Sequence, residues 1–526
     1  MTRKYRILLP LIISAAFIAG MYVSKQGEKT THVQPIYFQT HNKLETVLHL
    51  IESEYADSID KQQLIEEVIP LILEKLDPHS AYITAEEYNE ARDPIFGSFD
   101  GIGIQFNIQN DTVIVVQVIS GGPSELVGIK AGDRIIAVND SLIVGKKLSN
   151  TDVVRLLKGP KGTKVSVQII RKNNAAPIDF AITRDQIPLY SVDASYMLSS
   201  EVGYIKISRF AITTPDEFLE HVAKLRTKGM QKIIIDLRDN GGGVLNAAIF
   251  LANEFLEKND LIVYTQGKNY SRDESYADGK GSCKDLELAV LINEYSASAS
   301  EVFAGAIQDN DRGIIVGRRS FGKGFVNRDF MFTDSSIVRL TVQKFYSPTG
   351  RCIQKPYFDG FEAYQNELLD RFLHKEFIEK DSISFPDSLI YTTKKGKTVY
   401  GGGGIMPSMF VPLDTVGITP YFTELSHKGV MYDFAFDYAD KMRDVLHTKS
   451  ATALVQYLDK NNLMQEFISV SQKHIPFSQD EYEISKTYIK QHVYAYIIRN
   501  ILGDEGFYPF FQKYDTTIIT AHEALK

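Results

Sequence analysis

Asn293-Glu-Tyr-Ser-Ala-Ser-Ala-Ser-Glu301 lies between an apolar run, residues 288–292, and a helix-like pattern of Val302, Phe303, Ala306 and Ile307. A short buried strand, a tight turn of small residues and a helix would hold one serine at the helix N-terminus, where free backbone N–H groups stabilise negative charge. Such a turn suits a nucleophile. Three serines alternate here, and Ser/Ala-rich turns also serve as plain helix caps. The segments on either side separate the two readings.

Downstream, the strand-like run Gly313-Ile-Ile-Val-Gly317 leads into Arg318-Arg-Ser-Phe-Gly-Lys-Gly324, where one lysine stands between two glycines. Upstream, Ile233-Ile-Ile-Asp-Leu-Arg-Asp-Asn-Gly-Gly-Gly243 reads as a buried strand breaking into a triple glycine, which lets backbone N–H groups approach a substrate closely because no Cβ intervenes. Together these supply a nucleophile, a base and an oxyanion site. A serine hydroxyl needs such a base, and a lysine serves only when neutral. Bringing its pKa from about 10.4 to about 7 costs about 4.6 kcal/mol. Burial among Phe321, Phe325 and the glycine loops acts in that direction. The oxyanion formed on attack would be held by the Ala299 N–H and by one from Gly242 or Gly243.

With Leu76-Asp-Pro-His-Ser80, Gly101-Ile-Gly-Ile104, Asp236-Leu-Arg-Asp-Asn-Gly-Gly-Gly243, Ser296-Ala-Ser-Ala-Ser-Glu301, Phe321-Gly-Lys-Gly324 and Tyr400-Gly-Gly-Gly-Gly-Ile405, the chain resembles the carboxyl-terminal processing peptidases, or tail-specific proteases, from about residue 44 to 413. The resemblance implies a Ser/Lys dyad with Ser298 as nucleophile and Lys323 as base. The family's third member is usually a glutamine four residues after the lysine; here that position is Asn327, which leaves the orienting role open. It also implies an α/β protease core of the spiral fold shared with crotonases and Clp peptidases, an inserted mainly-β PDZ domain, and helical N- and C-terminal regions. The activity implied is that of a serine endopeptidase that recognises free C-terminal tails of exported proteins. The alternative is a membrane-tethered, catalytically weak or inactive PDZ adaptor that binds such tails.

Taken in order, the 526 residues are 44% hydrophobic, enough for several cores. The expected organisation is a signal anchor over 1–25, a helical region over 30–95, a PDZ domain over 96–184, the protease core over 190–357, an insertion over 358–398, a return segment of the core over 399–414 and a C-terminal helical domain over 415–526. Arg3, Lys4 and Arg6 precede the uncharged residues 7–23. This pattern favours an uncleaved anchor in an inner membrane, single-pass, with the catalytic part in the periplasm, over a removed signal peptide and a secreted protein. A helical pattern from Gln62 meets Pro70, which is expected to kink or end it. His79 reads as structural.

From residue 96 the pattern turns to short strands. Gly101, Ile102, Gly103 and Ile104 form the Gly-Φ-Gly-Φ loop of the PDZ resemblance, expected to present backbone amides to a peptide's terminal carboxylate while the peptide adds as a strand. An ordinary bulged strand is the plainer reading. A helix is expected over 150–157, a hairpin at Lys395-Gly396, and core stripes at Phe434, Tyr438 and Met442 and at Ile489, Val493, Ile497 and Ile501.

The net charge of −8 and the lack of a clustered basic face exclude a nucleic-acid footprint. No metal-ligand spacing surrounds Cys283 or Cys352, which pair or remain free thiols, and no cofactor is expected. No Gly-x-Ser-x-Gly elbow accompanies the eleven histidines, which argues against a Ser-His-Asp hydrolase. Acyl-CoA chemistry is disfavoured by the PDZ-like segment. The expected partners are proteins or peptides with free C-termini and the membrane, with a homodimer or an adaptor left open.

Overall fold

The computed structural model describes residues 14–17, 19, 21 and 42–526, apart from 172, 173, 175, 384 and 386. It divides into two compact units, residues 1–69 and 70–526. In the first, the helix Lys43–Glu54 is capped by Asn42, whose Oδ1 accepts the Glu45 N–H at 3.3 Å. Its apolar positions follow helical spacing, yet none is buried. The next helix, Lys61–Leu73, carries Pro70 inside it and ends three residues past the proline rather than at it. The helix continues beyond the proline, with the Glu74 N–H donating to the Pro70 carbonyl at 3.0 Å.

Among the described residues no helix is long and apolar enough to cross a membrane. That finding overturns the expected single-pass placement in an inner membrane, because a span needs about 20 apolar residues. Most of the supposed anchor over residues 7–23 lies outside the described residues.

The second unit is built on a six-stranded sheet in the order Val192–Met197, Val202–Ile207, Lys232–Asp236, Glu287–Ile292, Ile314–Gly317, Met409–Phe410. The first pair is antiparallel and the others are parallel. Inner parallel strands are covered on both faces, which is why Ile233, Ile234 and Ile235 read as an unbroken apolar run and are all fully buried. One face packs on the helices Thr214–Arg226, Leu245–Phe255 and Ala299–Asp309 through Phe218, Leu251, Phe255 and Phe303. The other is covered by Val411 and by Ile518, Ala521 and Leu525, the last three from in and beside the helix Thr516–Ala524. A second sheet carries the hairpin Phe325–Met331 and Ile337–Tyr346, with Ala81–Ile83 added on its edge.

Residues 98–188 leave and re-enter this core through the paired strands Ser98–Gly101 and Asp185–Pro188. Between them lies an antiparallel sheet whose order begins with Ile104–Gln109, followed by Thr112–Val118, Arg134–Val138, Lys164–Ile170 and Ile178–Thr183. The helix Asn150–Leu157 appears where the pattern placed it, capped by Ser149 and Asp152. After the core come the helix Phe361–Leu373 and a hairpin, Ile390–Thr392 with Thr398–Tyr400, turning near Gly396. The C-terminal helices share one core in which Phe434, Ile489, Val493 and Ile497 are buried. Cys283 and Cys352 are unpaired.

Candidate active site

Two loops meet where the parallel strands end. Strand Glu287–Ile292 runs into the serine turn, and strand Lys232–Asp236 into the glycine turn. Asn293 locks the two together: its Nδ2 donates to Asp239 Oδ1 at 2.8 Å and its Oδ1 accepts the Asp239 N–H at 2.9 Å. The three serines now separate by role. Ser296 and Ser300 are fully buried, and their hydroxyls donate to the carbonyls of Leu237 and Asn240 at 2.8 and 2.9 Å. Ser298 is only half-buried and caps the helix Ala299–Asp309 with φ 56° and ψ −114°. A non-glycine residue at such φ stores on the order of 1–3 kcal/mol, strain that clusters at functional sites.

The glycines differ as well. A Cβ on Gly242 (φ 101°) would stand 2.8 Å from Ser298 Cβ, 2.9 Å from the Ala299 nitrogen and 2.7 Å from the Ala297 oxygen. One on Gly243 (φ 137°) would fall 2.0 Å from the Phe210 carbonyl oxygen. The Gly242 N–H donates to Asn240 Oδ1 at 2.8 Å. Phe210 bridges Gly243 by donating to the Gly242 carbonyl and accepting the Val244 N–H, a pattern that turns the Gly243 N–H away from it. Below this turn, Asp236 accepts from Arg238 at 2.6 Å and from the Tyr204 hydroxyl at 2.7 Å, while Arg238 Nη1 reaches Asp515 at 2.8 Å. Burial alone would raise the Asp236 carboxyl, but Arg238 and Lys206 hold it far below the usual carboxylate range.

Glu301 joins the serine turn to the lysine loop. Its side chain is buried, with Oε1 accepting from the Ser320 hydroxyl at 2.5 Å and the Gly322 N–H at 2.7 Å. Oε2 accepts the N–H groups of Ser298 and Lys323, both at 2.8 Å. One carboxylate therefore fixes the main chain at both residues of the expected dyad. Burial raises its carboxyl to about 7, against the pull of these donors. Next along the loop, the Gly324 N–H donates to Gln354 Oε1 at 2.8 Å.

Burial also depresses the Lys323 amine, helped by the charge of Arg339 and opposed by Glu301 and Asp77. His79 stands among these groups. Its Nε2 is 2.7 Å from the Tyr364 hydroxyl, and its ring meets Phe325 edge-on at 5.7 Å. Burial first, and then Lys323, bring its pKa down to about 4, so the imidazole is neutral near pH 7. Asn327, on the strand that follows the loop, donates through Nδ2 to the His79 carbonyl at 3.2 Å and to Thr341 Oγ1 at 3.4 Å. Lys355 Nζ lies 4.0 and 4.1 Å from the ring centres of Phe321 and Tyr364, and 2.9 Å from Glu367 Oε2.

Far along the chain, Gly101, Ile102, Gly103 and Ile104 enter the edge strand of the antiparallel sheet. Gly103 has φ 77°, and a Cβ there would lie 3.1 Å from Ile187. The loop borders a cavity of about 260 Å³ with apolar walls that include Phe99, Ile104, Phe106, Leu157 and Leu189. Lys158 stands at this cavity, paired with Asp93 at 2.6 Å. Among the described residues no group of three or more His, Cys, Asp or Glu side chains is placed to hold a metal ion.

Comparison with known proteins gives the class first. Peptidase family S41 matches residues 201–362, a PDZ domain matches 101–182, and a family of unknown function (DUF8443) matches 421–503. A probable CtpA-like serine protease of Staphylococcus aureus strain COL is 34% identical over 349 residues, 66% of this chain and 69% of that protein. Its counterpart in strain N315 is 35% identical over 314 residues, 59% of this chain. The chain spans 62% of the length of that relative. A solved photosystem II D1 C-terminal processing protease is 26% identical, covering 59% of this chain and 83% of that one, with a TM-score of 0.35. The chain belongs to the CtpA-like serine proteases of peptidase family S41 and carries a PDZ domain.

Sequence reasoning gave Glu301 no role beyond its motif, although the Ser298-x-x-Glu301 spacing is that of a capping box. Tyr364 and Arg371 left no local signal, because nothing in the sequence brings residues of an irregular insertion back to the lysine loop.

Proposed function

We propose that this chain is a serine endopeptidase that takes protein substrates by their free C-terminal tails and cleaves them with a Ser298–Lys323 dyad. The observation that carries this reading is the shared hold of Glu301 on the Ser298 and Lys323 N–H groups, which ties nucleophile and base into one rigid element. Ser298 Oγ attacks the scissile carbonyl carbon while its proton passes to the neutral Lys323 amine. The oxyanion is received by the Ala299 N–H and by that of Gly243, since the Gly242 N–H is given to Asn240 Oδ1. As the C–N bond breaks, Lys323 returns the proton to the departing amine, and water then hydrolyses the acyl-enzyme by the same route. The depressed amine of Lys323 supports its role as base.

Asn327 serves as the orienting third member. With Nδ2 anchored on the His79 carbonyl and Thr341, its Oδ1 is the remaining acceptor on that side chain. We expect Asn327→Ala to lower kcat by about tenfold, less than Lys323→Ala does, as a small misplacement of a reacting group costs up to about a hundredfold. Single-turnover hydrolysis of one peptide decides this; an alanine variant as fast as wild type removes Asn327 from the machinery.

Tail recognition belongs to the loop from Gly101 to Ile104, where Ile102 and Gly103 lead into an exposed strand edge beside an apolar cavity. Gly103→Val is therefore expected to raise KM by about tenfold or more, since it forces a β-branched side chain to a positive φ and towards Ile187. The test compares a peptide ending in a free apolar residue with its amidated copy. Equal cleavage of the two by the wild-type protein would rule out carboxylate recognition.

A further inference from the structure

The helix Phe361–Leu373 runs beyond residue 362, where the S41 match ends, and the next match begins only at 421. Its inner face nevertheless reaches the lysine loop. Arg371, buried on that face, donates through Nη2 to the Arg319 carbonyl at 2.8 Å and through Nη1 to the Ser320 carbonyl at 3.1 Å. Its Nε lies 3.3 Å from Glu376. Two successive carbonyls facing one interior point suit the planar fork of a guanidinium, which a single-point ammonium does not reproduce.

Ser320 is also the residue whose hydroxyl donates to Glu301, and whose backbone and side chain pair with Ile405. From Arg319 to Gly324 the loop is thus tied residue by residue: Arg371 on the first two carbonyls, Ser296 on the Phe321 N–H, Glu301 on the N–H groups of Gly322 and Lys323, and Gln354 on that of Gly324. Ser296, Glu301 and Gln354 belong to the S41-matched segment, whereas Arg371 and Ile405 lie beyond it. Burying the guanidinium is costly, and burial together with Arg319 presses its pKa down to about 10 against Glu367 and Glu376. A helix that needed only to be glued to the core would be served by apolar contacts.

We infer that Arg371 is a positioning residue for Lys323: its fork sets the Arg319 and Ser320 carbonyls, and through Ser320 and Glu301 the placement of the lysine and of Ser298. The inference rests on the Ser298–Lys323 reading. It goes beyond that reading in assigning a part of the active-site frame to a segment matched by neither family.

The test uses the full chain as wild type, Arg371→Ala, Arg371→Lys and Lys323→Ala, with thermal melting, kcat, KM and the pH profile of kcat on one peptide. Arg371→Ala is expected to lower kcat by about 30- to 100-fold with KM within about twofold, as a displacement near 1 Å would. Loosening the loop admits water to the lysine, so the acidic limb of kcat should move to higher pH, by about half a unit or more. Guanidinium ion at non-denaturing concentration should restore part of the rate to Arg371→Ala and none to Lys323→Ala. Arg371→Lys keeps the buried charge and should fall between the two; it decides the matter if the alanine variant does not fold. A folded variant with wild-type kcat and an unmoved acidic limb overturns the inference and leaves Arg371 as helix glue. If Lys323→Ala itself retains wild-type activity, the dyad reading falls and the inference falls with it, an outcome distinct from failure of Arg371 alone.

Discussion

Ser298→Ala is expected to lower kcat/KM by on the order of 10⁴-fold or more, and Lys323→Ala by a similar factor, because nucleophile and base act as one unit and neither retains its function alone. The neighbouring serines provide the control. Ser296 and Ser300 spend their hydroxyls on the Leu237 and Asn240 carbonyls, and Ser296 Oγ also accepts the Asn293 N–H, so their alanine variants lose two and one buried hydrogen bonds, about 1–3 kcal/mol of stability for each group left unpaired, while keeping the nucleophile. Hydrolysis of a tailed peptide, measured beside thermal melts of all four variants, tests the assignment. An inactive but folded Ser300→Ala together with an active Ser298→Ala would reverse it. The base leaves its own mark, since the rate should rise with pH as the Lys323 ammonium loses its proton, below the usual lysine range.

The second large effect concerns Glu301. In Glu301→Gln one oxygen becomes an amide nitrogen that faces two donors, either the N–H groups of Ser298 and Lys323 or the Ser320 hydroxyl and the Gly322 N–H. Each buried donor left without an acceptor costs about 1–3 kcal/mol, and either the two dyad residues lose their common anchor or the loop between them loses its own. Activity should fall by about a hundredfold or more, on the footing that misplacement near 1 Å costs that much. Stability carries a pH signature. Burial raises the folded carboxyl from the ordinary 4.5 to about 7, so folding takes up a proton between those values. Its contribution is fully present below about 4.5 and is lost as pH rises through about 7. The Tm advantage of wild type over Glu301→Gln should accordingly shrink between pH 5 and 8. A gap that widens would mean that the fold favours the ionised carboxylate.

Much of this site was legible because its parts are local. A strand, a small-residue turn and a helix at residues 288–307 need only neighbouring residues to form, and the same holds for the triple glycine and the lysine loop. What distinguishes Ser298 from Ser296 and Ser300 is not local, because the hydroxyls of the other two are committed to a loop some sixty residues earlier. Glu301 was hidden by its resemblance to an ordinary cap; only the return of the Ser320–Lys323 segment makes it a hub. The membrane expectation came from basic residues ahead of a charge-free run, and among the described residues no helix is long and apolar enough to span. At Pro70 the ring removes one hydrogen bond, yet the helix runs through it to end at Leu73.

The second face of the protease sheet has a consequence for how this chain comes into being. Ile234, Ala289, Leu291 and Val316 are shielded by Ile518, Ala521 and Leu525, and Arg238 below the glycine turn is braced by Asp515. Ser298, Lys323 and Asn327 are all synthesised about 190 residues or more before those partners. The nascent chain thus carries its serine and lysine on a sheet that is still bare on one side. The sheet that bears the proposed cutting edge is thus completed only when the last residues of the chain join it.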